Sequence, residues 1–402
     1  MLRTLKIAVV AGVLGALLLP PLGVAAHGPR RDPIRFATFN ASLNRPVEGQ
    51  LRSQLEAAVA GTVDAQLQAV LDIVAINDPD VLLINEFDTG VDGEPATVAL
   101  FAELAGYDYF FTAPSNTGVP SGFDLDNNGS IGGGGDAFGF GAFPGQFGMA
   151  VFSRYPIDVD RVRTFQTFRW VDMPGALLPH DPATGESWYS DDELDVVRLS
   201  SKSHWDVPIE VGRHRVVHFL VSHPTPPVFD GPEDRNGTRN FDEIRFWADY
   251  IRPGRRSRYI YDDNGQHGGL RPGARFVIAG DQNSDPLDGD SIPGAIQQLL
   301  DHPRVNDRVT PSSEGAVEAA LLQGGANATH LSDPAFDTAD FADSSPGNLR
   351  ADYVLPSRSL DILNAGVFWP RLGEPGSELT GTFPFPSSDH RLVYVDIRKR
   401  GR

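Results

Sequence analysis

Six short apolar runs along the chain each finish on, or begin from, an acid, an amide or an imidazole, and that recurrence limits the fold more than any other feature. The fullest example is Arg275-Phe-Val-Ile-Ala-Gly-Asp-Gln-Asn-Ser-Asp-Pro286. Phe276 to Ala279 has the uninterrupted, β-prone character of a buried strand. Gly280 ends it, and Asp281, Asn283 and Asp285 follow at alternate positions. An extended backbone would project Asp281 and Asn283 from one side. An acceptor-only carboxylate beside an amide suits a hydrated phosphate and a hard cation. An Asx-rich turn after a core strand is the alternative.

The same grammar recurs elsewhere. Ile34 to Phe39 delivers Asn40, and Val81 to Asn85 delivers Glu86. The second of these is nearly all apolar, as expected of a strand buried on both faces. Val216 to Ser222 delivers His223, Asp352 opens Tyr-Val-Leu, and Ser388-Asp389-His390 precedes Leu392–Ile397. Helical spacing appears over Leu51–Ala60, Val63–Ile76, Ala96–Leu104, Asp242–Ile251, Ile292–Leu300 and Ala316–Leu322, with Asn77-Asp-Pro79 as a stop. Val196–Ser203 and His214–Ser222 read as a strand pair. Residues 114–148, 165–195 and 311–348 read as loops, the second a polar surface flap. With no repeat and no linker, residues 27–402 read as one domain.

The first 26 residues read as an export signal. Arg3 and Lys6 precede an apolar run from Ile7 to about Leu22, and Val24-Ala25-Ala26 offers a small-residue cleavage site. A soluble, extracellular, monomeric protein beginning near His27 is expected, with no stable membrane insertion. Cysteine is absent, so the fold must rest on its core and on any bound metal. The net charge of −19, from 53 acidic and 34 basic residues, disfavours sequence-independent attraction to a nucleic-acid backbone. Arg235, Arg239 and Arg245 are candidate phosphate contacts, because a guanidinium fork matches phosphate oxygens. His180, His204, His267, His302 and His330 read as surface residues.

Asp124-Leu-Asp126-Asn-Asn128-Gly129-Ser130 matches the first half of an EF-hand calcium loop. Asp124, Asp126, Asn128 and the Ser130 carbonyl are its candidate Ca²⁺ ligands. Gly135 stands where that motif needs Glu, Asp136 falls one residue late, and flanking helices are missing. A loop of Asx turns without metal is the alternative.

In order, Pro79-Asp-Val-Leu-Leu-Ile-Asn-Glu86, Gly280-Asp-Gln-Asn283 and Ser388-Asp389-His390 resemble the endonuclease/exonuclease/phosphatase superfamily. The resemblance runs from Phe36 to His390. It implies an α/β four-layer sandwich, two mixed β-sheets packed face to face with helices outside. It also implies that Glu86, Asn40 and Asp389 hold Mg²⁺ or Mn²⁺, and that Asp352 orients a catalytic His390. His223 would contact the phosphate, and Asp281 and Asn283 would position water or phosphate oxygens. These residue types meet the need independently: a phosphoester transition state requires a cation and donors placed in advance. Water requires a base such as a carboxylate-oriented imidazole. The expected activity is therefore metal-dependent hydrolysis of a small organic phosphate or phosphodiester. An extracellular nuclease, or a binding or toxin-like protein on an idle fold, stands as the alternative.

Overall fold

Alternation along the strands sorts side chains into three apolar layers, and the layers fix the architecture. The computed structural model describes residues 33–90 and 93–398, so the expected export signal lies outside the described residues. The strands are β1 (Ile34–Leu43), β2 (Val81–Phe87), β3 (Tyr109–Phe111), β4 (Gly148–Ser153), β5 (Arg163–Thr164), β6 (His204–Gly212) and β7 (Arg215–Ser222). They continue with β8 (Phe276–Asp281), β9 (Ala339–Asp340), β10 (Asn348–Leu349), β11 (Asp352–Pro356), β12 (Ile362–Val367) and β13 (Val393–Ile397). One mixed sheet has the order β12-β13-β1-β2-β4-β3, the other β11-β8-β7-β6-β5, and β9-β10 forms a separate ribbon.

Phe36, Val81 and Leu83 of the first sheet meet Phe219, Val277 and Ala279 of the second in the central layer. Phe36 and Phe219 lie with ring centroids 5.4 Å apart. The alternate residues Ala37, Phe39, Leu82 and Ile84 face outward, beneath α1 (Gln50–Val59), α2 (Ala65–Asn77) and α3 (Pro95–Ala105). Asp64 caps α2 by accepting from the Gln66 and Leu67 amides, and Asp78 ends it in the left-handed region before Pro79. On the far side, Phe276 and Ile278 pack with Phe246, Trp247 and Tyr250 of the next long helix, Arg235–Tyr250. The molecule is a four-layer α/β sandwich, and β2 is buried along nearly its whole length.

Several local expectations differ from the structure. The strand before His223 pairs with His204–Gly212 and not with Val196–Ser203, because buried Val197 and Leu199 turn outward into the helix-side layer. The 165–195 stretch is not a flap: Phe165, Phe168, Trp170, Met173 and Tyr189 insert into that same layer. The helix expected from Asp242 begins seven residues earlier, at Arg235, and the one expected over Ile292–Leu300 shrinks to Gln297–Leu300.

Topology brings the polar strand ends together. β1 and β2 run parallel, as do β7 and β8, so each pair ends at the same edge of its sheet. β13 is antiparallel to β1 and β11 to β8, so these two strands start where the others stop. One rim therefore carries Asn40, Glu86, His223, Asp281, Asp352 and His390.

Candidate active site

Two bulges aim the first residues into the rim. The ladder between β1 and β2 slips after Asn40, and that between β2 and β4 slips after Asn85. Ser42 and Glu86 sit in these slips with φ of 48° and 56°, a left-handed conformation that non-glycine residues seldom adopt. The strands thus run past Asn40 and Glu86 to Leu43 and Phe87 instead of ending on them. Glu86 leaves the ladder, and its oxygens accept from Asn40 Nδ2 at 3.2 Å and Asn44 Nδ2 at 2.8 Å. Asn40 Nδ2 also donates to Asp281 Oδ2 at 3.0 Å, which joins the two sheets.

Asp281 emerges where the end of β8 passes close to the end of β7. Gly280 has a φ of 145°, and a Cβ there would lie 2.0 Å from the Ser222 carbonyl oxygen, so only glycine fits. The backbone does not stay extended beyond it. Asp281 Oδ1 accepts from the Asn283 amide at 2.9 Å and Asn283 turns left-handed, so an Asx turn separates the two side chains. Asn283 Nδ2 donates to the Pro224 carbonyl at 3.1 Å, bracing the segment after His223.

Both imidazoles converge on Asp281. His223 Nε2 lies 3.3 Å from its Oδ2 and His390 Nε2 lies 3.7 Å from the same atom. His390 Nδ1 is 2.8 Å from Asp352 Oδ2, and all four side chains are buried. The two histidines sit in different fields. Burial, with help from Lys202, pulls His223 down to about 4. Burial also acts on His390, but the charges of Asp352 and Asp281 outweigh it and hold this imidazole well above its ordinary range. Asp281 is itself held well below the usual carboxylate range, because the two imidazoles overcome its desolvation. Desolvation dominates at Glu86 and raises it.

Lys202 is the residue that sequence reasoning missed. It is the only lysine between Lys6 and Lys399 in an arginine-rich chain, a signal that was available. The residue is 7% exposed, and among the described residues its ammonium makes no hydrogen bond or ion pair. Its charge is felt at Glu86 and His223, and burial lowers its own pKa. The surrounding loop is pinned. Asn116 donates its amide to the Lys202 carbonyl at 2.8 Å and its side chain to Ser200 O at 2.7 Å. Buried Glu243 accepts from the Ser201 amide at 2.7 Å and the Thr225 amide at 2.6 Å, locking the Lys202 and His223 loops to one helix. Gly139 explains part of the glycine content of residues 114–148, since a Cβ there would meet Ser201 O at 1.7 Å.

The three arginines expected to contact phosphate serve the scaffold. Arg235 pairs with Glu233. Arg239 donates to the carbonyls of Leu199, Phe138 and Arg198, and Arg245 to those of Gly175 and Pro174. Nor are all the remaining histidines at the surface. His204 is buried between Ser200 and the Glu243 carbonyl, and His302 is buried as well.

Donor chemistry in the rim fits a hard divalent cation. Ligand atoms of Asp281, Asp352 and His390 lie within 4.8 Å of one another. Asp352 Oδ1 is buried without a partner, and among the described residues the Glu86 side chain receives only amide hydrogens. Asp389 is half-buried beside them, with Ser42 and Ser388 hydroxyls at 3.5 and 3.4 Å. Asn40 turns its amide nitrogen toward the Glu86 and Asp281 carboxylates, while its Oδ1 accepts from the Ser42 amide at 3.3 Å.

In the 124–136 loop, carboxylate oxygens of Asp124, Asp126 and Asp136 lie within 4.8 Å of one another. Asp136, outside the motif, takes the place expected of Asn128, whose Oδ1 accepts from the Ser130 amide at 2.9 Å. Asp124 accepts from the Asn128 and Gly129 amides, and Asp136 from those of Leu125 and Gly132, as in a chain of Asx turns.

The sequence profile of the Endonuclease/Exonuclease/phosphatase family matches residues 37–390. No curated protein matches the chain. Among solved structures it is similar to an endonuclease/exonuclease/phosphatase from Beutenbergia cavernae, at 17% identity over 92% of this chain and 72% of that one, with a TM-score of 0.48. It is also similar to a family protein from Leptotrichia buccalis, at 14% identity over 91% of this chain and 99% of that one, with a TM-score of 0.45. The human Nocturnin catalytic domain with bound sulfate gives 15%, 91%, 96% and 0.43 on the same measures.

Proposed function

The chain belongs to the endonuclease/exonuclease/phosphatase family, and on that premise we propose that it is an exported, divalent-metal-dependent phosphoesterase acting on a small organic phosphate or phosphodiester. One observation carries this reading. Two buried imidazoles meet a single carboxylate, Asp281, and one of them is backed at Nδ1 by Asp352. With Nδ1 engaged, Nε2 is the atom through which His390 exchanges a proton with water or a phosphate oxygen. His223 Nε2 faces the same space and donates to a nonbridging oxygen or the leaving group. A cation held by Glu86, Asp389 and Asp281 would supply charge against the nonbridging oxygens and polarise the attacking water. Lys202, buried beside them and with no hydrogen bond or ion pair among the described residues, would add a preorganised donor for the substrate's oxygens.

The same geometry supports a small ester over a nucleic acid. Arg235, Arg239 and Arg245 are tied to the scaffold, and the net charge is −19. Turnover of a chromogenic phosphodiester, phosphomonoesters, lipids and plasmid DNA with Mg²⁺, Mn²⁺ and Ca²⁺ tests the reading. Hydrolysis of small esters by the wild type and not by His390→Ala is expected. Preferential cleavage of DNA would replace it with the nuclease reading. A folded protein inert toward every ester would be a binding protein on an idle fold. For export, N-terminal sequencing of protein recovered from the medium should begin near His27.

A further inference from the structure

The segment between Pro334 and Leu349 had no function readable in the sequence, yet it is built onto the His390–Asp352 pair. Ala339 bridges His390 in antiparallel fashion. Asp340 donates its amide to the Asp389 carbonyl at 2.8 Å, and Arg391 donates its amide to the Thr338 carbonyl at 2.7 Å. Buried Arg391 and Asp340 pair at 3.0 Å, and the Phe341 ring meets the His390 ring edge-on at 5.3 Å.

Thr338 is the centre of this contact. Its Oγ1 accepts from the amides of Ala351 and Asp352, at 3.0 and 2.9 Å. With both lone pairs engaged, the hydroxyl hydrogen points to Asp352 Oδ2 at 2.9 Å. That oxygen is the one that faces His390 Nδ1, while Asp352 Oδ1 is buried without a partner. The carboxylate is therefore held in one rotation, with both of its side-chain partners on one oxygen.

We propose that Thr338 is a positioning residue for the catalytic pair. It fixes the Asp352 oxygen against which His390 is set, and the 334–349 segment is its mount. The proposal rests on the phosphoesterase reading above. The test compares wild type, Thr338→Ser, Thr338→Val, Asp352→Asn and the Thr338→Val/Asp352→Asn double variant on a chromogenic phosphodiester. Loss of a hydrogen bond to a charged group should lower kcat of Thr338→Val by roughly ten- to a hundredfold with KM little changed. Thr338→Ser should restore kcat, and the double variant should be no slower than Asp352→Asn alone.

An independent readout is the low-field Nδ1 proton resonance of His390, assigned by its loss in His390→Ala. It should move in Thr338→Val and return in Thr338→Ser, whether or not the protein hydrolyses any ester. An inactive wild type would therefore remove the phosphoesterase reading and leave Thr338 testable. A wild-type kcat and resonance in Thr338→Val, or a Thr338→Ser variant as impaired as Thr338→Val, would overturn the proposal. Should Thr338→Val fail to fold, Thr338→Ala takes its place against the same serine rescue.

Discussion

Asp281 and Asp352 stand directly opposite one another across the β8–β11 ladder, two buried carboxylates at one register position. Like charges at facing positions are unfavourable, and the interior strengthens the repulsion. What offsets it is polar contact from the other sheet and from the segment after β7: Asn40 on Asp281, His223 on Asp281, and His390 beside both acids. The rim is thus also a structural joint between the two sheets.

Removing His390 should therefore destabilise the metal-free protein as well as silence it. Breaking a buried charge pair by deleting one partner typically costs ~3–5 kcal/mol. In the presence of a chelator, His390→Ala should melt well below wild type, and His390→Ala/Asp352→Asn should recover much of the loss. A double variant as unstable as the single one would mean that the facing carboxylates do not repel appreciably.

For Glu86→Gln, the loss of activity should come mainly through weakened metal affinity, because the amide removes a ligand's charge. Raising Mg²⁺ or Mn²⁺ should recover part of the rate. Identical metal titrations of variant and wild type would show that Glu86 is not a ligand.

The rim residues were legible because each lies next to an apolar run, and period-two burial shows which runs are strands. Neither register nor irregularity is encoded so simply. The slips that free Ser42 and Glu86 carry no glycine or proline in the bulged segments themselves, and Gly148 stands opposite only on the partner strand. An extended backbone would set Asn283 beside Asp281, but the Asp281 carboxylate itself bends the chain away. The 165–195 stretch looked polar because its buried aromatic residues follow neither the helix nor the strand period. Lys202 lies between two serines and adjoins no apolar run. Its rarity marked it, and its spacing did not.

Lys202→Gln should raise KM and lower kcat, since a cation at this position would serve both ground-state and transition-state oxyanions. An expected loss of roughly 10²–10³-fold in kcat/KM matches removal of one preorganised charged donor. Lys202→Arg should rescue poorly, because the planar guanidinium has a different shape and hydrogen-bond geometry. Inorganic phosphate should also inhibit the glutamine variant less than wild type. Equal inhibition of both proteins would place Lys202 outside the substrate's reach.

Calcium should raise the melting temperature of the wild type more than that of Asp124→Ala/Asp126→Ala. The carboxylates of Asp124, Asp126 and Asp136 are gathered closely enough to share one ion. Tenfold excess over Kd would contribute roughly 1.4 kcal/mol. Equal shifts in the two proteins would leave the loop as a set of Asx turns that binds no calcium.

The last prediction concerns Asp337, beside Thr338. It is 2% exposed, its Oδ1 is buried without a partner, and burial, reinforced by Asp285, Asp288 and Asp333, pushes it up to about 8. The sign follows from linkage. In the unfolded chain this carboxyl loses its proton near pH ~3.9, whereas the folded chain keeps it until about 8. Between those values the native state binds more protons than the unfolded state, so stability falls as pH rises. Above the folded pKa both states are ionised and the full penalty of burying the charge remains. Asp337→Asn removes the ionisation and keeps the shape. Its stability relative to wild type should therefore climb from about pH 4 to about pH 8 and then level off, reaching a gain on the order of a few kcal/mol. Denaturant unfolding of both proteins across that window measures the difference directly. Parallel curves would mean that Asp337 is ionised in the folded protein at neutral pH, with its charge balanced within the 334–349 segment.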